Sequence, residues 1–172
     1  KRLDKNVTII TGGGKGIGFG IAKAFAKEGS NLVITGRTES RLIAAKERLE
    51  EEYGIEVLAI VADGADEAAI NNVVDQTIKK FGKITTLVNN AQVSKSGLPL
   101  VDHTREDIDL ALHSGLYAAF FYMRDCYPYL KESKGSVINF ASGAGLFGKL
   151  GQSSYAAAKE GIRGLSRVAA AE

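Results

Sequence analysis

The chain has 172 residues, 45% of them apolar and 24% charged, with a formal net charge of +2. This is a single-domain length with room for a substantial core, and its interspersed charges form neither a nucleic-acid stripe nor a membrane-binding patch. The lone Cys126 excludes an internal disulfide, and His103 and His113 without cysteine partners do not compose a zinc site. No apolar run is long enough for a membrane span and no signal peptide is expected, so the expected compartment is the cytoplasm.

Short β-branched runs alternate with longer helical stretches along the chain. Strands are predicted over Val7–Thr11, Asn31–Thr35, Glu56–Ala62, Thr85–Asn90 and Ser136–Ala141. Between and after them, helices are predicted over Ile17–Lys27, Glu39–Glu52, Ala65–Phe81, Arg105–Leu130 and Gln152–Glu172. Continuous apolar strands separated by helices imply a parallel sheet covered on both faces, hence one doubly wound, Rossmann-type α/β domain. Ligands of such sheets bind at the carboxyl ends of the strands, beside the point where strand order reverses.

The first strand runs into Thr11-Gly12-Gly13-Gly14-Lys15-Gly16-Ile17-Gly18. Glycines let a backbone turn sharply and approach a phosphate, and the following helix offers its free N–H groups to the anion. The G-x-G-x-x-G spacing is not met, because Ile17 stands where the third glycine belongs. A P-loop also fails, because Gly14-Lys15 is followed by Gly16 rather than Ser or Thr. What remains is G-x-x-x-G-x-G, which taken alone also suits a plain glycine-rich turn.

Tyr155 and Lys159 stand four residues apart, which places them on one face of a helix, and Ser142 precedes the tyrosine by thirteen residues. A phenol is a poor acid–base group at neutral pH, its ordinary pKa being about 10. A fixed cation one turn away favours the phenolate and so suits the phenol for proton exchange with a carbonyl or alcohol during hydride transfer. Such pairs also occur on solvated helices.

Taken together, T-G-x-x-x-G-x-G after the first strand, Asn89-Asn90-Ala91 after the fourth, Ser142 after the fifth and Tyr155-x-x-x-Lys159 resemble the short-chain dehydrogenase/reductase family. The resemblance runs from about Asn6 to the end of the chain. It implies Tyr155 as acid/base, Lys159 holding the nicotinamide ribose and lowering the tyrosine pKa, and Ser142 bonded to the substrate oxygen. It also implies that Gly12, Gly14, Lys15, Gly16, Ile17 and Gly18 hold the dinucleotide. Asn90 and Ala91 would line the cofactor cleft, and Asp63 with Gly64 would touch the adenine edge. Ser142 could instead be a capping serine, Asp63 a helix cap, and the asparagine pair a polar turn supporting the sheet. Family members form homodimers or homotetramers, which here would associate through the 105–130 helix and the Tyr155 helix.

The second strand ends Thr35-Gly36-Arg37-Thr38, with no carboxylate for a ribose 2′-hydroxyl. Arg37 and Lys15 are suited to a 2′-phosphate, so NADP(H) is expected over NAD(H); the alternative is two solvated surface charges. Three departures from the family stand out. Gln92 replaces the last glycine of Asn-Asn-Ala-Gly and is expected to protrude near the nicotinamide pocket, touching substrate or constricting the site. Gly115 occupies the place of the family's helix asparagine, leaving space that water could fill; Ser114 and His113 are candidate substitutes, with His113 expected mainly to pack. The family continues through further strands and a substrate loop, so a longer gene product is expected, with an exposed sheet edge in the residues at hand.

The expected function is hydride transfer between NADP(H) and a small-molecule carbonyl or secondary alcohol. The alternative is a dinucleotide-binding sensor or scaffold without turnover.

Overall fold

The computed structural model describes residues 1–172 and contains one five-stranded sheet. Its strands are β1 (Val7–Thr11), β2 (Asn31–Gly36), β3 (Val57–Val61), β4 (Thr86–Asn89) and β5 (Ser136–Asn139). All pairs are parallel and the order is β3-β2-β1-β4-β5. The connections are α1 (Gly16–Lys27), α2 (Glu39–Tyr53), α3 (Glu67–Phe81), and α4 (Arg105–Ala111) continuing through a π-helical segment, Leu112–Tyr117, into α5 (Ala118–Ser133). The chain closes with α6 (Gly143–Phe147) and α7 (Ser153–Ala171).

Alternation along the strands divides the core in two. Ile9, Val33 and Leu87 pack with Ile70, Val73, Tyr122 and Cys126 of α3 and α5 on one face. Ile10, Leu32, Ile34 and Val88 pack with Ala22, Leu42 and Leu49 of α1 and α2 on the other. Each fully buried Ile or Leu contributes about 2 kcal/mol from the apolar area it removes from water, so the central strands are the rigid part of the molecule. Burial pushes the Cys126 thiol up to about 12, making it a packing residue rather than a nucleophile.

Strand order reverses between β1 and β4, and the loops that follow these two strands open onto the same edge of the sheet. β5 is an edge strand whose Val137 and Ile138 are each 39% exposed.

Three local differences from the sequence expectation have physical causes. The helix predicted over 105–130 is interrupted by the π segment, where the Gln92 side chain lies against Gly115 and its Nε2 donates to the Ala111 carbonyl at 3.0 Å. α6 is only five residues long, too short for helical periodicity to reveal. The third helix begins at Glu67 rather than Ala65, because Asp66 is its N-cap and its side chain accepts from the Ala69 N–H at 3.2 Å.

Candidate active site

The glycine loop is shaped by its own backbone. Gly12 and Gly16 have φ of +66° and +56°, a region that side chains rarely adopt. Any Cβ at Gly18 would overlap the Gly12 carbonyl and fall 2.6 Å from Asn90 Nδ2. A methyl there would therefore drive the β1 loop away from the β4 loop.

Those two loops are joined by Thr11. Its Oγ1 accepts from the N–H groups of Asn90 and Ala91, both at 3.0 Å, while Asn90 Nδ2 donates to the Thr11 carbonyl at 3.2 Å. Asn90 thus supports the sheet, as one of its two sequence readings expects, and the same geometry leaves it on the wall of the cleft. Thr11 opens the T-G-x-x-x-G-x-G motif, but its role in joining the two loops was not assigned from the sequence, where it reads as the last residue of a buried strand.

Gly12, Gly14, Lys15, Gly16, Ile17, Gly18, Arg37, Thr38, Asp63, Gly64, Asn90, Ala91 and Gln92 all line one cavity of about 440 Å³ at the strand ends. Lys15 is the N-cap of α1 and makes no side-chain capping bond, so the first N–H groups of that helix face the cavity without a side-chain partner. Lys15, Arg37 and Arg41 stand around it with no salt bridge to any acidic side chain. Arg41 was not anticipated, because in sequence it is one of several charges on the exposed face of α2. Asp63 does not cap α3; its Oδ1 accepts from the Ala65 N–H at 3.0 Å and closes the turn after β3. These features suit a dinucleotide: a glycine cradle that a Cβ would fill, an uncapped helix start, and cations at the mouth.

Ser142, Tyr155 and Lys159 lie outside that cavity, on α6 and α7. Ser142 is the N-cap of α6, its Oγ accepting from the Ala144 N–H at 3.1 Å. The capping reading of Ser142 therefore describes its geometry. Accepting one bond leaves the hydroxyl hydrogen free to donate elsewhere. α6 packs closely on α7, where a Cβ at Gly145 would come 3.1 Å from the Ala156 carbonyl.

Tyr155 is half-buried on the first turns of α7, and the Lys159 ammonium lies 5.7 Å from its ring centroid. Lys159 is only 4% exposed, and burial pulls its pKa below the ordinary lysine range. The start of α7 is held from outside, by Ser153 Oγ against His103 Nδ1 at 3.2 Å and by the Gly97 N–H donating to the Gly151 carbonyl at 2.9 Å.

Gln92 lines the cavity, and its carboxamide turns into the space that a side chain at Gly115 would occupy. That space is therefore filled by a carboxamide. Ser114 offers no substitute for the missing asparagine, since its Oγ is bonded to the Val93 N–H at 2.9 Å and lies 2.6 Å from the Leu110 carbonyl. His113 packs edge-on against Tyr117, with ring centroids 4.7 Å apart, as expected of a packing residue. It also borders the cavity.

A family model described as short chain dehydrogenase matches residues 6–172. The chain belongs to the short-chain dehydrogenase/reductase family. It is 61% identical over 176 residues to a 12alpha-hydroxysteroid dehydrogenase of a Clostridium species, covering 99% of this chain and 68% of that protein. It is 36% identical over 173 residues to levodione reductase of Leifsonia aquatica, covering 99% and 65%. Among solved structures, a levodione reductase superimposes with a TM-score of 0.94 at 34% identity, covering 99% of this chain and 67% of the other. An NAD+-bound xylitol dehydrogenase gives 0.93 at 28% identity, covering 98% and 65%. The chain thus spans about two thirds of the length of these relatives. Short-chain dehydrogenases are oxidoreductases acting on CH–OH groups, and the α/β architecture described above is theirs. No helix of this chain is long and apolar enough to cross a membrane.

Proposed function

We propose that this short-chain dehydrogenase interconverts a carbonyl and a secondary alcohol with NADP(H), and that Tyr155 transfers the proton. The observation that carries the reading is the pairing of Tyr155 with a buried ammonium on α7, against the helix that begins at Ser142. A nicotinamide dinucleotide supplies or accepts the hydride when bound. Everything else falls to side chains of this chain.

Lys159 stands on the same side of α7 as Tyr155, its ammonium 5.7 Å from the ring centroid, and is assigned to hold the nicotinamide ribose beside the phenol. In the reducing direction the Tyr155 hydroxyl gives its proton to the carbonyl oxygen as that oxygen gains charge, and in the oxidising direction the phenolate takes it back. The Ser142 hydroxyl hydrogen, left free by the capping bond, is available to the same substrate oxygen and orients it. Gly12, Gly14, Gly16 and Gly18 let the backbone approach the pyrophosphate, with Ile17 inside the first turn of α1. Asn90 and Ala91 form the wall between the nucleotide and the reacting end, and Asp63 with Gly64 borders the adenine.

Lys15, Arg37 and Thr38 are assigned to the 2′-phosphate of NADP(H), with Arg41 as a third cation. The absence of a carboxylate at the end of β2 supports this choice, since such a group would repel a 2′-phosphate and attract a 2′-hydroxyl. A charge-assisted hydrogen bond contributes about 1.5–3 kcal/mol. Arg37→Ala is therefore expected to weaken NADPH binding by roughly ten- to a hundredfold while leaving NADH binding within about threefold. Titration of cofactor fluorescence measures both, and equal losses for the two cofactors would remove Arg37 from the phosphate site.

The hydroxysteroid named for the Clostridium relative makes ring-bearing secondary alcohols and their ketones the first substrate class for this chain. A homodimer or homotetramer is proposed through the faces of α5 and α7, which expose Phe120, Tyr127 and Val168.

A further inference from the structure

Two hydroxyl groups reach the floor of the dinucleotide cavity. Tyr122 of α5 and Thr35 of β2 are each only 2% exposed, yet both line the cavity. Six side chains carry a buried polar atom closed off without a partner, and neither Tyr122 nor Thr35 is among them. Neither hydroxyl makes a full hydrogen bond within the chain, although the Thr35 side chain stands beside the phenol. An unbonded hydroxyl that is not closed off keeps surface of its own, and the cavity is the opening that these two residues line.

Their place in the cleft follows from the elements that meet there. Ala118 lies one turn before Tyr122 on the same side of α5. A Cβ at Gly64 would come 3.1 Å from Ala118 Cβ and 3.4 Å from the Ser114 carbonyl, so the turn after β3 rests directly on this helix. Thr35 precedes Gly36, whose carbonyl accepts from the Ala62 N–H at 3.0 Å. The ends of β2 and β3 and the first turns of α5 therefore converge, and the hydroxyl pair lies beneath the turn that carries Asp63 and Gly64. This is the end of the cleft assigned to the adenine.

The core does not require this hydroxyl. The Tyr122 ring belongs to the cluster of Ile9, Val33, Val73 and Leu87, surroundings in which a phenylalanine would pack as well. Tyrosine hydroxyls at such depth normally find a partner. Burial pushes the phenol well above its ordinary range, against a smaller opposing influence of Thr35, so the hydroxyl keeps its hydrogen at any working pH. Tyr122 thus presents a donor to the cavity, and the ring nitrogens of a purine are acceptors.

Resting on the function proposed above, we propose that Tyr122 is a cofactor-binding residue whose hydroxyl, supported by Thr35, donates a hydrogen bond to a ring nitrogen of the adenine. The base is then bordered by Asp63 and Gly64 at the turn and held by the phenol from the floor. Because both dinucleotides carry the same base, this contact adds to the affinity for each and does not choose between them.

The test uses the whole protein, with Kd values from cofactor fluorescence and thermal melting without ligand. Tyr122→Phe removes one oxygen and keeps the ring. It is expected to raise the Kd for NADPH and for NADH by the same factor, roughly three- to tenfold, with a ligand-free melting temperature no lower than that of wild type. Equal losses distinguish this variant from Arg37→Ala, which is expected to act on NADPH alone. Thr35→Val should give a smaller loss of the same kind. The double variant should lose no more than Tyr122→Phe by itself, since Thr35 acts through the phenol; multiplied losses would overturn the part given to Thr35. Wild-type Kd values for both cofactors in Tyr122→Phe overturn the proposal. So does a lowered ligand-free melting temperature, which makes the hydroxyl part of the fold, or a loss confined to NADPH, which moves Tyr122 to the phosphate. A wild-type protein that binds neither cofactor overturns the functional reading together with this one.

Discussion

Tyr155→Phe is expected to reduce turnover at least a thousandfold while leaving the Kd for NADPH within about threefold of wild type. Removing one hydroxyl deletes the proton donor but none of the apolar contacts of the ring, so the fold and the neighbouring Lys159 are preserved. Positioned acid–base groups contribute about 10²–10⁴ in rate, and a thousandfold loss corresponds to ~4 kcal/mol of barrier. Parallel measurement of kcat and of cofactor fluorescence checks both halves. A Phe variant that turns over normally would take the proton from Tyr155 and give it to another group, of which Ser142 is the first candidate.

The second large effect separates function from stability at one residue. Lys159 is 4% exposed and its pKa is depressed by burial. A lysine with a folded-state pKa below its unfolded value of about 10.4 penalises folding while it is charged. The penalty is fully present below the folded-state pKa and disappears as pH rises towards the unfolded value. Lys159→Met, of similar length and no charge, is therefore expected to melt higher than wild type at pH 7. Each kcal/mol relieved is worth about 2–4 °C for a chain of this size. The advantage should shrink as pH is raised from neutrality towards 10. The same variant should lose at least a hundredfold in turnover, because the ammonium that stands beside Tyr155 and is assigned to the nicotinamide ribose is gone. A variant that melts lower at pH 7, or whose melting difference does not change with pH, would show that Lys159 sits in a compensated site.

The parts of this molecule that were legible in its sequence are those with a local signature. β1 and β2 are short β-branched-rich strands of five and six residues whose interiors are wholly buried, a pattern that points to a parallel sheet. Gly12 and Gly18 are needed where the backbone turns left-handed or nearly touches itself, so glycine chemistry alone marks the loop. Lys15 and Arg37 were readable because both stand at the carboxyl end of a predicted strand.

What was not legible depends on contacts between distant residues. Nothing within 105–130 announces the π segment, because residues 112–117 keep a helical pattern, and the side chain that enters there comes from Gln92. Gln92 and Gly115 read as two independent departures until the fold places one in the space of the other. Thr11 looks like strand filler, yet its hydroxyl joins the β1 and β4 loops. Ser142 carried two readings that exclude each other only if its cap consumed the hydroxyl hydrogen, and it does not.

The most direct test of the central claim is ketone-dependent consumption of NADPH by the purified wild-type protein. A panel of ring ketones, with ketosteroids first, is presented at saturating NADPH and, separately, at saturating NADH. The account predicts that NADPH is consumed only when a ketone is present, one alcohol forming per cofactor oxidised, with a larger kcat/KM than NADH supports. NADPH that binds tightly and is consumed with no ketone of the panel would contradict it, and would make this short-chain dehydrogenase a dinucleotide sensor on an enzyme's fold.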